Sequence, residues 1–337
     1  MSATRRVRKT QPVTRYGAID CGTNALRLLV ADVIDGELRE ISREMRTVRL
    51  GEGVDATGEF TPAALERTFA ALDEYARMID DLDVSVLRIV ATSASRDVRN
   101  ADEMIDGFQH RVGVAPEVID GLVEARLSYA GAVRGLPEGV SDFPVLVADI
   151  GGGSTEFIRG SGPRVDLIEA STSIDIGCVR MTERCLHSDP PTDDEIRDAT
   201  GVVDAELDRA FRDVSVDSIR GFIGLAGSVT TVAALAHGLT SYDAQQIHGS
   251  VTTRDQVGEV TDSLLKMSRT QRAALPVMHP GRVDVIGGGA LVLRQILSRL
   301  PVSCVVASET DILDGIVYSL AAKSTPHSGE ISHNFSM

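Results

Sequence analysis

Apolar residues recur along this chain with two periods, and the switches between them mark its elements. Runs at 16–19, 25–33 and 38–50, in which every or every second position is apolar, read as three successive strands. From 62 to 79 the period lengthens to that of a helix, and Thr61 stands where a capping hydroxyl belongs. A strand follows at 86–91, then helical stretches at about 97–111 and 122–134. Residues 136–144, with two prolines, a glycine and acidic side chains, have turn composition and make the best domain boundary. A second series then repeats the first. It has strands at 145–148, 156–159 and 164–169, helices at about 177–186 and 193–211, a strand at 221–225 and a helix at 228–237. Helices at 255–267 and 290–299, a strand at 302–306 and a closing helix at 311–322 complete it.

This alternation predicts an α/β protein of two domains, each a mixed sheet flanked by helices, with a cleft between them. The expected boundaries are a disordered basic arm at 1–13, domain I at 14–138 with part of the final helix, domain II at 139–322, and a loose tail at 323–337. Tryptophan is absent and aromatics make up 4%, so the cores must be built from Ala, Val, Leu and Ile. Four scattered cysteines form no C-x-x-C pair, which points to a reducing compartment. No apolar run reaches membrane-span length and the basic start lacks a signal-peptide core, so a soluble, cytoplasmic protein without membrane partners is expected. A net charge of −15 repels nucleic acid and any other polyanion unless bound cations reverse the field. With lysine only at positions 9, 266 and 323, any anion clamp must rely on arginine.

The most informative repeat is short. Ala18-Ile-Asp-Cys-Gly-Thr-Asn24 and Val147-Ala-Asp-Ile-Gly-Gly-Gly-Ser-Thr155 share the order apolar strand, Asp, apolar residue, Gly turn with hydroxyl residues, apolar strand. Each would put an Asp at a strand tip, where a hard cation such as Mg²⁺ can take carboxylate oxygen while keeping much of its water. Gly151, Gly152 and Gly153 would allow positive φ and close backbone approach, so that successive amides form an anion nest, with Ser154 and Thr155 adding hydroxyl donors. A tight hairpin whose Asp merely caps its turn is the plainer reading of either loop alone. Asp149 and Glu156 could lie side by side on adjacent strands. The Gly-Ser step at Gly227 and Ser228 opens a helix, as an anion site or a simple cap. Arg269, Arg272 and Arg282 could form a basic track or a salt-bridged face. No G-x-x-x-x-G-K-[ST] occurs, and the glycines at 287–289 do not match the dinucleotide spacing.

Five segments in order, the two loops above with Ala91-Thr-Ser-Ala-Ser-Arg96, Gly121-Leu-Val-Glu-Ala-Arg-Leu127 and Ile286-Gly-Gly-Gly-Ala290, resemble the exopolyphosphatase and guanosine pentaphosphate phosphohydrolase family, over about residues 16–322. The resemblance implies two actin-like, ribonuclease H-like domains. It implies that Glu124 directs the attacking water, that Asp20, Asp149 and Glu156 serve the metal, and that Mg²⁺, with Mn²⁺ able to substitute, is the cofactor. It implies phosphate contacts from Gly22, Thr23 and Asn24, from Gly151 to Thr155, from Gly227 and Ser228, and from Arg96. Taken alone, Glu124 is an ordinary helix residue paired with Arg126 or Arg96, and Arg96 a helix-terminal salt bridge.

The implied activity is release of orthophosphate from the end of inorganic polyphosphate. Alternatives are a guanosine pentaphosphate 5′-phosphohydrolase, or a weakly catalytic sensor of polyphosphate or of guanosine tetraphosphate or pentaphosphate. A homodimer is compatible with the family. The chain ends before the C-terminal helical domain of longer members, which implies a preference for short polyphosphate. It also departs from the family pattern at Leu122-Val123, before the glutamate, and at Asp311-Ile-Leu-Asp-Gly315, where many members carry an arginine before the glycine.

Overall fold

The two series of elements build two sheets with the same core order in a computed structural model of the chain, which describes residues 14–136 and 142–324. The basic arm, most of the turn at 136–144 and nearly all of the tail lie outside the described residues. In the first half, β1 (Arg15–Cys21), β2 (Ala25–Ile34) and β3 (Glu37–Thr47) form an antiparallel meander. After it come α1 (Val54–Thr57), α2 (Pro62–Asp81), β4 (Val86–Ala91), α3 (Ser93–Arg96), α4 (Ala101–Val112), β5 (Glu117–Val118) and α5 (Gly121–Gly135). The second half opens with the matching meander β6 (Val145–Ile150), β7 (Thr155–Gly160) and β8 (Ile168–Ile174). It continues with α6 (Cys178–Cys185), α7 (Asp193–Asp213), β9 (Gly221–Leu225), α8 (Ala226–Ala236), α9 (Ala244–Ile247), β10 (Val251–Thr253), α10 (Arg254–Lys266), α11 (Arg269–Ala273), α12 (Ile286–Ser298), β11 (Cys304–Ala307) and α13 (Ile312–Ser324).

The first sheet runs β3-β2-β1-β4-β5 and the second β8-β7-β6-β9-β11-β10. In each, the meander's first strand takes a parallel partner on its open side, β4 beside β1 and β9 beside β6. Three expectations are corrected. The strand expected at 164–169 starts later, because Gly160 pairs with Ile168 and residues 161–167 must therefore form the connection. The helix expected from 97 is broken before Ala101, where the Asn100 side chain accepts from the amide of Phe60 (2.8 Å) and donates to its carbonyl (3.1 Å). The helix expected from 290 begins at Ile286, since its glycines are packing positions: a Cβ on Gly288 would lie 2.8 Å from the Cys178 carbonyl, and one on Gly289 2.1 Å from Ser228 Oγ.

Two helices join the sheets. Ile312, Leu313, Ile316, Val317 and Leu320 of α13 pack with Tyr16, Ala18, Leu29 and Val90 of the first sheet, so the last described helix covers the first described strands. Leu127 of α5 joins that cluster, while Ala125, Tyr129 and Ala132 pack on Val145, Val147, Ile158 and Ile223 of the second sheet. The helices cross with nearly touching backbones. A Cβ on Gly131 would fall 1.8 Å from the Asp311 carbonyl oxygen, and one on Gly315 1.9 Å from that of Leu127. Gly315→Ala would add the roughly 1 kcal/mol helix preference of alanine, but forcing these backbones apart should outweigh it, for a net loss of about 1–3 kcal/mol. A lowered urea midpoint for Gly315→Ala is the expected result, and an unchanged midpoint would contradict the close crossing.

Candidate active site

Each meander turns through a loop closed by the same bond. The Gly22 amide donates to the Ala25 carbonyl and the Gly151 amide to the Ser154 carbonyl, both at 3.0 Å. Each loop leaves its Asp at the strand end, directly across from a charged residue seven positions on: Asp20 faces Arg27, and Asp149 faces Glu156. The loops pack on one another, since a Cβ on Gly152 would sit 2.9 Å from that of Thr23, and one on Gly153 3.0 Å from Thr23 Oγ1 and 2.6 Å from Ser93 Oγ. Close approach is thus the reason for these glycines. None of Gly22, Gly151, Gly152 and Gly153 has positive φ, so the expected nest conformation is corrected. Left-handed backbone occurs instead at Ala226, just before Gly227, a strained alanine on the cleft wall that no sequence pattern marks.

Between the loops lies a cleft lined by Asp20, Gly22, Thr23, Asn24, Glu124, Asp149, Gly151 to Ser154, Gly227 and Ser228, which brings together most of the expected site residues. Three stand behind its wall. The Thr155 hydroxyl is buried and donates to the Ile176 carbonyl at 2.5 Å. Arg96 donates through Nη1 to Glu124 Oε2 (2.8 Å) and to the Ile119 carbonyl (2.9 Å), so its geometry is that of a carboxylate holder. Glu156, 1% exposed, accepts from Ser173 Oγ at 2.7 Å.

Sequence reasoning missed Arg27, and placed Arg282 only in a track. Both line the cleft. Arg282 donates to Thr231 Oγ1 (3.1 Å), stacks over Tyr242 and lies so close to Gly227 that a Cβ there would be 2.3 Å from the guanidinium. Arg269 and Arg272 pair with Asp284 and Asp189, so the three do not form a track.

Burial dominates the electrostatics. It raises the Glu124 carboxyl well above its ordinary range, aided by Glu156 and opposed by Arg96. Asp149 is pushed up to about 6 by burial and then by Asp311, against a 2.6 Å bond from Ser128 Oγ. Asp20 is raised by burial, opposed by Arg27, and its Oδ1 is buried without a hydrogen-bond partner. Among the described residues no three His, Cys, Asp or Glu side chains converge as a ready-made metal site, so the expected trio of Asp20, Asp149 and Glu156 is not gathered. Asp20, with its unpartnered oxygen, and Asp149 nevertheless suit a hydrated Mg²⁺, which takes one or two carboxylates and completes its shell with water and phosphate.

Residues 29–324 match the model of the Ppx/GppA phosphatase family. The chain belongs to this family. It is 49% identical over 322 residues to a Mycobacterium tuberculosis protein named Exopolyphosphatase 2, covering 92% of this chain and 99% of that one. Among solved structures, an exopolyphosphatase-like protein superposes with a TM-score of 0.88 at 41% identity, covering 92% of this chain and 98% of its own. The Aquifex aeolicus Ppx/GppA family member does so at 0.78 and 31%, covering 94% and 100%. The paired sheets are thus the actin-like Ppx/GppA fold.

In this Ppx/GppA chain, burial and then Asp149 push Glu156 up to about 7. Asp149 and Glu156 therefore hold protons when folded that they would release when unfolded above the ordinary carboxylate range of about 4. The stability these protons confer is fully present at low pH and is lost as pH rises through about 6 to 7. Melting temperature, read with divalent cations chelated, should fall between about pH 5 and 8, and Glu156→Gln should flatten that fall. An equally steep fall in the variant would contradict the assignment.

Proposed function

We propose that the chain is an exopolyphosphatase that releases orthophosphate from the end of inorganic polyphosphate, favouring short chains. The observation that carries this reading is that Glu124, Asp20 and Asp149 line one cleft whose two turns press together. Phosphoanhydride hydrolysis depends chiefly on holding a water in line with phosphorus and neutralising the equatorial oxygens. Thr23, Asn24, Ser154 and Ser228 supply donors along the wall, and Arg27 and Arg282 supply charge. A divalent cation, once bound by Asp20 and Asp149, would offset the negative charge of both protein and substrate.

Glu124 is the base in this reading. A carboxyl raised above its ordinary range accepts a proton more readily, and Arg96 fixes one of its oxygens, so the side chain can aim water at the terminal phosphorus. The preference for short chains rests on Arg269 and Arg272, which are tied to Asp284 and Asp189 and offer a long polyanion no free basic track. The name of the Mycobacterium tuberculosis relative supports the polyphosphate assignment. The protein's four thiols are free, which suits the cytoplasm, and no described helix is long and apolar enough to cross a membrane.

One observation favours a second substrate. Met45, Val285, Ile286 and Ile312 give the cleft apolar lining that an inorganic chain does not need and a nucleoside could use, as in guanosine pentaphosphate. Orthophosphate release from polyphosphates of defined length and from guanosine pentaphosphate separates the two. Release should vanish with EDTA, and Glu124→Gln should lower turnover by about 10²–10⁴ with an unchanged melting temperature. Absence of divalent-dependent release from both substrates would end the hydrolase reading; tight nucleotide binding without turnover would mark a sensor instead.

A further inference from the structure

Arg27 occupies in the first hairpin the place that Glu156 occupies in the second, directly across from the turn's Asp. Its Nε and Nη2 both donate to Oδ2 of Asp20, at 2.9 and 2.5 Å, while Nη1 donates to Oδ2 of Asp311. A guanidinium facing a single carboxylate favours a fork, one N–H to each oxygen. Here the second carboxylate draws the third nitrogen aside, both bonds to Asp20 fall on one oxygen, and Asp20 Oδ1 stays buried and unpartnered.

Asp311 is 5% exposed and is not part of the cleft wall. Its Oδ1 accepts from the Leu313 amide (3.0 Å), and its own amide donates to Asp314 Oδ2 (2.9 Å). Asp314 is in turn held by Arg43 of β3 at 2.8 Å. The first turn of α13 thus fixes the carboxylate, and Arg27 links it to the cleft.

Building on the phosphate-binding reading of the cleft, we propose that Asp311 is a positioning residue. It holds Arg27 so that the guanidinium can meet an incoming phosphate without closing over both oxygens of Asp20. Helix α13 thereby sets the geometry of a turn nearly three hundred residues earlier. An arginine released by Asp311 would fold onto Asp20 and compete with the substrate, so the loss should fall on binding before turnover.

The test is a double-mutant cycle in the full chain with inorganic tripolyphosphate. Asp311→Ala should raise KM about tenfold while changing kcat less than about threefold. Asp311→Asn, whose single side-chain oxygen can accept from Arg27 only with its amide nitrogen turned toward Leu313, should recover part of that loss, leaving KM between those of the parent and the Ala variant. In an Arg27→Ala background, Asp311→Ala should shift KM less than about twofold. Equal rises in both backgrounds, or an Asn variant as poor as the Ala variant, would overturn the proposal. Calorimetric titration of an imido-bridged, non-hydrolysed tripolyphosphate analogue with Mg²⁺ repeats the cycle without turnover. Non-additive binding supports positioning and additive binding overturns it, whatever the hydrolysis assay shows of the activity.

Discussion

The contact of Thr23 with Gly152 and Gly153 is what makes two separate hairpins one site. Any side chain on either glycine would push the turns apart, and with them the two aspartates on which a cation could sit. Other contacts between the halves lie along the same seam: Asn24 Nδ2 donates to the Gly281 carbonyl at 3.3 Å, and Gly281 is pressed against Thr47. Each sheet has its own apolar cluster, but the proposed chemistry needs the place where their turns meet.

The two hairpins share a path and differ in charge. Facing its Asp, the first carries an arginine and the second a glutamate, so one side of the cleft is partly neutralised and the other is acidic. Serine hydroxyls moderate the acidic side, Ser128 on Asp149 and Ser173 on Glu156, at 2.6 and 2.7 Å. In the proposed reaction this division would let an anion be gripped from one side while water is deprotonated from the other. It would also let a protein of net charge −15 accept the proposed polyanion: arginines would meet it at the wall, and the remaining carboxylates call for a cation to accompany it.

Much of this was legible in the sequence. The strands at 86–91 and 221–225 have the expected bounds, because short apolar runs flanked by polar residues leave little choice of register. The paired Asp-Gly turns stood out because their composition repeats, although only one of the two reasons assigned to the glycines holds: they allow close approach, here between the loops, and not left-handed backbone. Arg27 and Asp311 were not legible as a pair, since 284 residues separate them and only the return of α13 to the first sheet brings them together. Arg96 and Glu156 were expected to be contact residues because the family resemblance implied it. Burial and hydrogen-bond partners, which no spacing reveals, put them behind the wall.

The crossing of α5 and α13 also orders events during synthesis. The face of the first sheet formed by Tyr16, Ala18, Leu29 and Val90 is covered by α13 at residues 312–324, translated long after the strands it covers. Until that helix emerges, this face stays open on the nascent chain, a sticky surface that chaperones would have to shield. The sheet made first is therefore completed only after the second has been made.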